Sequence, residues 1–529
     1  MNEELNKALD QISDKHIDEA ATRQRKGFPW IRSIAAVLAL VIACTAVWAA
    51  FDSMKPSIVP ESTGSILQGP TPGNPSTPST PTTPSRPTIP AGPRPEYPTN
   101  LGGIQSPSTL QLSSLVSGPT YPQMAQYPNS NEVVSFSKEF YELEEIWSAG
   151  HAVQYNQPKG YADSLNAFWS RSIAQFLSGE GNRAYSPANV YLALAMLAET
   201  TGGNSRQQIL DLLGADSIEA LRTQAGHVWN AQYCDDGQST SLLANSLWLD
   251  DSYTFKDSAV QNLVNHYYTS IFNGNLPSKE MSQQLQAWLN SQTGGLLQEQ
   301  VKNQEFSEYA VFALASTIYF TAGWNEEFNP TQTADATFHC KDGNLTTAFM
   351  NKTIISGTYY WGSNFGAVRL ELTKGYMWLI LPDEGVTVEE VLAGNEYTTM
   401  TLAPYTWTNK KTIKINLSLP KFDISTDTSL IDGMKAMGLS DIFIPGTANF
   451  SPMTEDSKLL APHIGKIDHA VRVAIDEEGV VAAAFTVIEM TDNDAPMLPE
   501  DEIDFVLDRP FLFLVTDDVP LFAGVVEQP

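Results

Sequence analysis

Near its C-terminus the chain reads AIDEEGVVAAAFTVIEM (residues 474–490) and then TDNDAPMLPEDEID (residues 491–504). An acidic turn with Gly479 leads into the run from Val480 to Ile488, nine residues without a charge or a proline. Such a run favours a β-strand, and its small side chains let neighbouring strands close around it. The acidic, proline-containing sequence that follows predicts an exposed loop. Two interpretations fit: an ordinary edge strand followed by a long loop, or a segment that is exposed at first and enters a sheet later.

Upstream of this stretch, helical patterns come first and strand patterns follow. Apolar residues recur every three or four positions in residues 161–177 and 188–200, which predicts two helices. Later segments have strand character, namely TSLLANSLWL (240–249), YAVFALASTIYF (309–320), TIKINLSLPKF (412–422), HAVRVAI (469–475) and RPFLFLV (509–515). This order favours an α+β fold with large mixed sheets over alternating βαβ units.

The N-terminal region predicts a membrane anchor. A polar segment, residues 1–32, ends in the basic residues Arg23, Arg25, Lys26 and Arg32. The run from Ile34 to Phe51 has eighteen residues without a charge, and at about 1.5 Å per residue it spans about 27 Å, enough to cross a bilayer core. The basic cluster predicts that residues 1–32 are cytoplasmic, that residues 33–51 form a transmembrane signal-anchor helix, and that the rest is extracellular.

Two alternatives to a retained anchor stay open. Ala49 and Ala50 are small enough for a signal-peptide cleavage site, although the preceding polar segment is unusually long for one. The sequence Val41-Ile42-Ala43-Cys44 resembles a bacterial lipobox, although apolar residues continue past Cys44.

Residues 52–130 are dominated by Pro, Ser, Thr and Gly, as in PTPGNPSTPSTPTTPSRPTIPAGPRP (70–95). Such a segment cannot bury a core and is expected to be a disordered, extended stalk. We therefore expect the folded domain to occupy residues 131–529.

Composition and motifs exclude several functions. The net charge of -29 repels nucleic acid, so no nucleic-acid partner is expected. The three cysteines, Cys44, Cys234 and Cys340, match no zinc-site spacing, and we expect no Cys234–Cys340 disulfide. No GxSxG, HExxH, Walker or dinucleotide-binding motif occurs, so a surface hydrolase is disfavoured. We predict that the protein is not an enzyme and has no cofactor or metal.

Several separated motifs resemble the serpin family of protease inhibitors over residues 160–529. They are NRAYSPANVYLALAML (182–197) with Asn182 and Ser186, LQAWLNSQTGGLL (285–297) with Trp288, Asn290, Thr293 and Gly294, STIYFTAGWNEEF (316–328) with Trp324, INLSLPKFDISTDTSLIDGMKAMGLSDIF (415–443), DRPFLFLV (508–515) and PLFAGVVEQP (520–529). The resemblance implies a serpin fold with a helical N-terminal part, a large mixed central sheet, smaller sheets and an exposed reactive loop at about residues 477–507. With its N-terminal segments, the chain is identified as a bacterial-type, membrane-anchored member.

The resemblance also implies roles for particular residues. The reactive-loop hinge comprises Glu477, Glu478, Gly479, Val480, Val481, Ala482, Ala483, Ala484, Phe485 and Thr486. Asn182, Ser186 and His469 form the polar cluster where the central sheet parts, and Trp324 stands at the top of that sheet. Gly479 is expected to let the backbone turn in, and Val480 to lie mostly outside the sheet until the loop is cut.

The position of the cleaved bond stays open. Counting as in the family gives Asn493–Asp494, whereas Met490–Thr491 and Met497–Leu498 suit a protease with an apolar pocket better. No Lys or Arg lies between Arg472 and Arg509, which disfavours trypsin-like enzymes.

These features predict a monomeric, membrane-attached suicide inhibitor of elastase- or subtilisin-like serine proteases, with cysteine proteases as a second target class. The alternative within the same fold is a non-inhibitory binding or folding factor. Such proteins often carry charged or bulky residues at inward hinge positions, and this chain does not.

Overall fold

The computed structural model describes residues 112–128, 133, 137–480, 499 and 501–529, except for the side chains of residues 153–155. The predicted cytoplasmic tail, the predicted transmembrane helix and most of the predicted stalk lie outside the described residues, as does segment 481–498. Within the described ranges, no helix combines the length and the apolar character needed to cross a bilayer.

The strands of the described residues form two sheets. In chain order they are β1 (Leu115–Ser117), β2 (Arg183–Tyr185), β3 (Cys234–Asp235), β4 (Thr240–Asp250), β5 (Thr269–Gly274), β6 (Phe312–Gly323), β7 (Ala334–Cys340), β8 (Gly343–Trp361), β9 (Phe365–Glu371), β10 (Tyr376–Pro382), β11 (Lys410–Pro420), β12 (Phe422–Ser429), β13 (Asp468–Ile475), β14 (Gly479–Val480), β15 (Glu502–Val506), β16 (Phe511–Asp517) and β17 (Val519–Val526).

The first sheet has eight strands in the order β1-β5-β4-β6-β14-β13-β12, with β3 paired to β4. The second has nine strands in the order β15-β11-β8-β9-β10-β16-β17-β2, with β7 paired to β8. Both are mixed, because β4 pairs parallel with β5 and β11 pairs parallel with β15. The predicted α+β fold with large mixed sheets is confirmed. The second sheet is as large as the first, where smaller sheets were expected, because β15 and β2 extend it at both edges.

The helices lie mainly in the N-terminal half of the described chain. They are α1 (Lys138–Tyr155), α2 (Asp163–Leu177), α3 (Pro187–Thr200), α4 (Gly203–Leu213), α5 (Ile218–Gln232), α6 (Asp257–Tyr267), α7 (Lys279–Gln292), α8 (Gln298–Val301), α9 (Val388–Leu392), α10 (Glu396–Leu402) and α11 (Ile431–Ala436), with 3-10 turns at Pro330–Gln332 and Asp441–Phe443. The two helices predicted from periodicity are confirmed as α2 and α3.

Helix α3 packs against the first sheet and supports the functional site described in the next subsection. It is buried almost all round because it lies between the sheets, against β6 of the first and β17 of the second. Its all-round apolar sequence fits that position. Ser186 caps its N-terminus by accepting a hydrogen bond from the Asn189 N–H at 3.2 Å, and Pro187 occupies the first turn, where no N–H is needed. The Ser-Pro-Ala-Asn sequence thus begins the helix directly beneath the first sheet.

Residues 112–128 form an N-terminal strap on the body. Within it, β1 extends the first sheet by pairing Leu115 with Phe272 of β5. The Tyr121 ring lies 5.6 Å from the Trp229 ring and 5.5 Å from the Tyr233 ring. Composition assigned these residues to the stalk, but their strand pairing and aromatic packing attach them to the body, which therefore begins nearer residue 112 than residue 131.

Candidate functional site

The two-residue strand β14 occupies a single strand position between β6 and β13. Val480 pairs antiparallel with Ile475 of β13 and with Ala322 of β6, and Gly479 pairs with Gly323. Since both neighbours are antiparallel to β14, they are parallel to each other. At about 4.8 Å per strand spacing, β6 and β13 stand about 9.6 Å apart at this level. Among the described residues, β6 and β13 pair with β14 and not with each other.

A compact turn joins β13 to β14 and is fixed by Trp324. The Asp476 carboxylate accepts hydrogen bonds from the Glu478 N–H at 2.9 Å and the Gly479 N–H at 3.3 Å, as in an Asx turn. Trp324 donates its backbone N–H to the Glu478 carbonyl at 2.9 Å and its indole N–H to the Asp476 carbonyl at 2.8 Å. Because the Trp324 side chain is buried, it fixes the entry of the loop to the end of β6.

The carboxylates of this turn differ in how well their negative charge is stabilised by neighbouring groups. Burial acts to raise the pKa of Glu477, but hydrogen bonds from Lys421 and Thr333 outweigh it and hold that pKa below its ordinary value. Burial and the neighbouring Asp476 and Glu477 raise the pKa of Glu478. Lys421 therefore holds the turn in place by pairing with Glu477, while the charge of Glu478 is disfavoured.

Gly479 is required by close packing. A Cβ at this position would lie 2.4 Å from the Ala322 carbonyl oxygen and 2.7 Å from the Gly323 Cα. Gly479 is not one of the glycines of the described chain that have a positive φ, so its backbone conformation does not require glycine. Glycine is therefore required at this position, but for a reason other than the predicted one: the backbone of β14 lies too close to β6 for any side chain to fit.

The expectation that Val480 lies mostly outside the sheet is wrong. Its side chain is 2% exposed and belongs to the main hydrophobic core, because its backbone is paired on both sides. Val480, the first residue of the predicted inserting run, and Gly479 before it are therefore already part of the first sheet.

A polar cluster lies beneath the same strand position, deeper in the sheet. His469 lies six residues before Ile475 on β13, and Ser316 lies six residues before Ala322 on β6. Because β13 and β6 run parallel to each other, His469 and Ser316 stand at the same level of the sheet. The Ser186 N–H donates to His469 Nε2 at 3.0 Å, and the Asn189 amide donates to Ser316 Oγ at 2.9 Å. The N-terminus of α3 thereby bridges the two strands that flank β14.

The structure brings Ser186 and His469 together as predicted, but not Asn182. The Asn182 amide oxygen accepts from the backbone N–H groups of Glu527 and Gln528 at 2.8 and 2.9 Å, so this residue braces the C-terminal end of the chain. Asn189 takes the place in the cluster that was expected of Asn182. The missed signal was the spacing from the helix cap, because the third residue after an N-cap faces the same side of the helix start.

The far end of the predicted reactive loop lies in the other sheet. β15 (Glu502–Val506) pairs parallel with β11, so the expected loop of residues 477–507 ends before Glu502. The hinge residues Val481, Ala482, Ala483, Ala484, Phe485 and Thr486, and the candidate scissile residues Met490, Thr491, Asn493, Asp494, Met497 and Leu498, lie outside the described residues.

Comparison with known proteins identifies this architecture. The profile of the family described as Serpin (serine protease inhibitor) matches residues 164–529, more than half of the chain. The chain belongs to the serpin family. Serpins are in general protease inhibitors and not enzymes, which confirms the prediction that this chain is not an enzyme.

Individual serpins match across nearly their whole length. Serpin-ZX of Arabidopsis thaliana is 28% identical over 387 residues, covering 68% of this chain and 95% of its own. Neuroserpin of Mus musculus is 26% identical over 395 residues, covering 70% and 92%. The solved structure of Arabidopsis AtSerpin1 in its native stressed conformation superposes with a TM-score of 0.60 at 25% identity, covering 70% and 100%. These relatives come from plants and an animal, and they give no support to the bacterial type expected from the sequence.

In this serpin, the buried His469 makes stability depend on pH. Its side chain is 4% exposed, and burial lowers its pKa from 6.5 to about 4. The imidazole is therefore neutral at pH 7, which suits its role as acceptor from the Ser186 N–H. In the unfolded chain the same imidazole takes up a proton near pH 6.5, so unfolding is favoured by proton uptake as the pH falls below that value.

We expect the contribution of His469 to be complete above pH 6.5 and lost as the pH falls to 4, a loss of about 3 kcal/mol in the free energy of unfolding. His469→Gln keeps an acceptor oxygen without a titrating ring, so its stability should change less over this interval. Urea unfolding of both proteins between pH 4 and 7 measures the difference. His339→Gln, at an exposed histidine, is the matched control. Equal pH dependence in the wild type and His469→Gln would contradict the assignment.

Proposed function

We propose that this serpin is a suicide-substrate inhibitor of serine proteases, with cysteine proteases as a second target class. The observation that carries the proposal is the position of β14. The hinge begins as a strand paired between β6 and β13, with its entry turn fixed by Trp324 and by the Lys421–Glu477 ion pair. A protease that cuts the loop forms an acyl-enzyme at the newly freed end, and the hinge then continues into the sheet.

The direction of β14 sets the path of insertion. Continuation beyond Val480 runs antiparallel to both neighbours, which is the arrangement that lets one strand complete both ladders. The two-residue alternation then turns Val480, Ala482, Ala484, Thr486 and Ile488 to one face, and all of these side chains are small or apolar. At about 3.3 Å per residue, a dozen inserted residues carry the attached protease about 40 Å along the sheet.

The anchoring of the loop favours this mechanism. One end is held in the first sheet by β14 and the other in the second sheet by β15, where Lys414 and Asn416 hold Glu502 at 2.9 and 2.6 Å. A cut between these anchors releases the hinge side while β15 stays paired with β11. The inserted surface is more apolar than is usual for the family, since Val481 and Phe485 fall at the outward positions.

We also propose an apolar-pocket protease as the target, with the elastase and subtilisin classes as examples. The loop holds no Lys or Arg that a trypsin-like pocket needs, and Met490–Thr491 and Asn493–Asp494 lie in the window that insertion favours. The inhibitor would act as a monomer, displayed outside the cell on the Pro-rich stalk and attached to the membrane through residues 33–51. The uncharged run and the basic cluster before it support that placement.

The test is to mix the full-length protein, purified in a mild detergent, with elastase, subtilisin and trypsin. We expect an SDS-resistant complex with an elastase- or subtilisin-class enzyme and none formed by trypsin through the loop, and mass spectrometry should locate the cut within residues 490–494. Cleavage in this window without a stable complex for any enzyme of a broad serine and cysteine protease panel would favour the non-inhibitory binding or folding factor instead.

A further inference from the structure

Three side chains of metal-ligand type meet where α1 contacts the body. His151 comes from α1, Cys234 from β3 and Asp236 from the turn that follows it, and all three are buried. Their ligand atoms lie within 4.8 Å of one another, and His151 Nε2 is 2.9 Å from Asp236 Oδ2. Cys234 and Asp236 are two residues apart, a spacing that turns both side chains to the same side of an extended chain.

The carboxylate of this cluster is held rigidly by its neighbours. Asp236 Oδ1 accepts the backbone N–H groups of Gln238 at 2.9 Å and Ser239 at 2.7 Å, and Oδ2 accepts the Trp147 indole N–H at 2.9 Å. Hydrogen bonds of this kind orient a metal-binding carboxylate in proteins. Trp147 lies one helical turn before His151, so α1 supplies both the potential ligand and a group that orients another.

The surroundings offer space for a cation. A cavity of about 290 Å³ borders the cluster and is lined by Trp147, Ser148, His151, Cys234, Asp236 and Lys374, among others. Lys374 is paired with Asp517 at 2.6 Å, so its charge is already compensated. The cavity leaves room for a water molecule as a further ligand.

We propose that His151, Cys234 and Asp236 bind a divalent transition metal of the zinc class, with water as the fourth ligand, and that this metal fastens α1 to the body. An imidazole nitrogen, a thiolate and a carboxylate form a set that zinc accepts in tetrahedral geometry, and softer or harder cations fit it less well.

Metal binding exchanges protons in a defined way. Burial raises the pKa of the Cys234 thiol, so without a metal the sulfur keeps its proton and points to the Ser239 carbonyl at 3.6 Å. When the sulfur–metal bond forms, this proton leaves to solvent. Without a metal, His151 Nε2 faces Asp236 Oδ2 at 2.9 Å and donates its proton to that oxygen. On metal binding this proton leaves Nε2, and the neutral imidazole keeps one proton on Nδ1 by exchange with solvent, so that the Nε2 lone pair is available to the metal.

Sequence spacing could not reveal this site, because His151 lies far from Cys234 along the chain and in a segment with little resemblance to any motif. The site is close to the hinge in the fold. Ser239, which accepts from Cys234, also hydrogen-bonds through its hydroxyl to Thr373 at 2.7 Å, and the Thr373 N–H donates to Gly323. Gly323 is the partner of Gly479, so the cluster lies at the end of the first sheet where β14 enters.

The test is a titration of the full-length metal-free protein with Co²⁺, followed by Zn²⁺. We expect one Co²⁺ per chain, a thiolate-to-cobalt charge-transfer band in the near ultraviolet, the intense visible bands of four-coordinate cobalt, and displacement of both by zinc. Cys234→Ser should abolish the charge-transfer band. His151→Gln should weaken binding by about tenfold or more, and circular dichroism of the metal-free variant should confirm that the fold is kept although the side chain is buried against Asp236.

Matched controls separate this cluster from the other thiols and imidazoles. Cys340→Ser and His463→Gln lie outside the cluster and should bind Co²⁺ as the wild type does. The proposal would be overturned by the absence of saturable one-to-one binding. It would also be overturned by a charge-transfer band that survives Cys234→Ser, or by equal affinity in His151→Gln and the wild type.

Discussion

Cutting the loop within residues 490–494 should raise the melting temperature of the protein by roughly 10 °C or more. A nick normally leaves the stability of a protein unchanged or lower, because it frees chain ends and adds no contact. The opposite result is expected here because β6 and β13, among the described residues, pair with β14 and not with each other, so that the strand position between them already holds the start of the hinge.

The size of the effect follows from the area buried. Insertion of the apolar run after Val480 removes several hundred Å² from water, worth about 5–10 kcal/mol at ~25 cal/mol per Å² before entropic losses. The new strand also pairs with both neighbours. Because Gly479 and Val480 are already in the sheet, insertion extends an existing strand and needs no new nucleus.

The measurement compares intact and nicked protein by thermal unfolding, with a specific protease recognition sequence placed across residues 490–494. The matched control places the same sequence after Leu460, an exposed residue in another loop. Nicking at the control position should leave the melting temperature unchanged or lower. If the nick within 490–494 raises it no more than the control nick does, insertion is excluded for this chain.

The elements with strong local patterns were predictable from the sequence. The periodicity of α3, with apolar residues on all sides, and the short, largely apolar runs of β4, β6 and β13 identify these elements without knowledge of their neighbours. For Val480 to Ile488, strand character and small residues left two interpretations open, and the assignment as a hinge came from the resemblance to serpins. The signals of the helix and the strands are local, and local signals can be extracted from one sequence.

The features that were missed depend on contacts between distant segments. The burial of Val480 depends on its pairing with Ala322, which is distant in sequence, as well as with the nearby Ile475. The strap lacks a core of its own and is stabilised by rings such as Trp229, so composition alone assigned it to the stalk. Asn182 lies close to Ser186 in sequence, yet the end of β17 draws it away from the polar cluster.

The buried position of Val480 makes two hinge substitutions distinguishable. Val480→Arg should lower the free energy of unfolding of the uncleaved protein by about 3 kcal/mol or more, because it places an unpaired charge in a side-chain position that is 2% exposed. The sequence alone predicted little cost, and the pairing of Val480 with both Ala322 and Ile475 reverses that expectation. Urea unfolding of the uncleaved variant measures the effect. Val480→Ala, which loses methyl groups without adding a charge, is the control and should cost less.

Ala484→Arg should leave the stability of the uncleaved protein almost unchanged but abolish trapping of the protease. Under the proposed mechanism, residue 484 enters the sheet interior only after cleavage, on the same face as Val480, so the uncleaved protein should unfold within about 0.5 kcal/mol of the wild type. After cleavage, burial of an unpaired arginine opposes insertion, so the acyl-enzyme hydrolyses before it is trapped. The variant should be cut at the normal site while releasing active protease, which gel analysis and residual protease activity measure together.

The matched control is Ala483→Arg. The two-residue alternation of a strand directs the side chain of residue 483 outward, so this variant should keep inhibition. Trapping by Ala484→Arg as efficient as that by Ala483→Arg would show that strand insertion does not drive inhibition in this serpin.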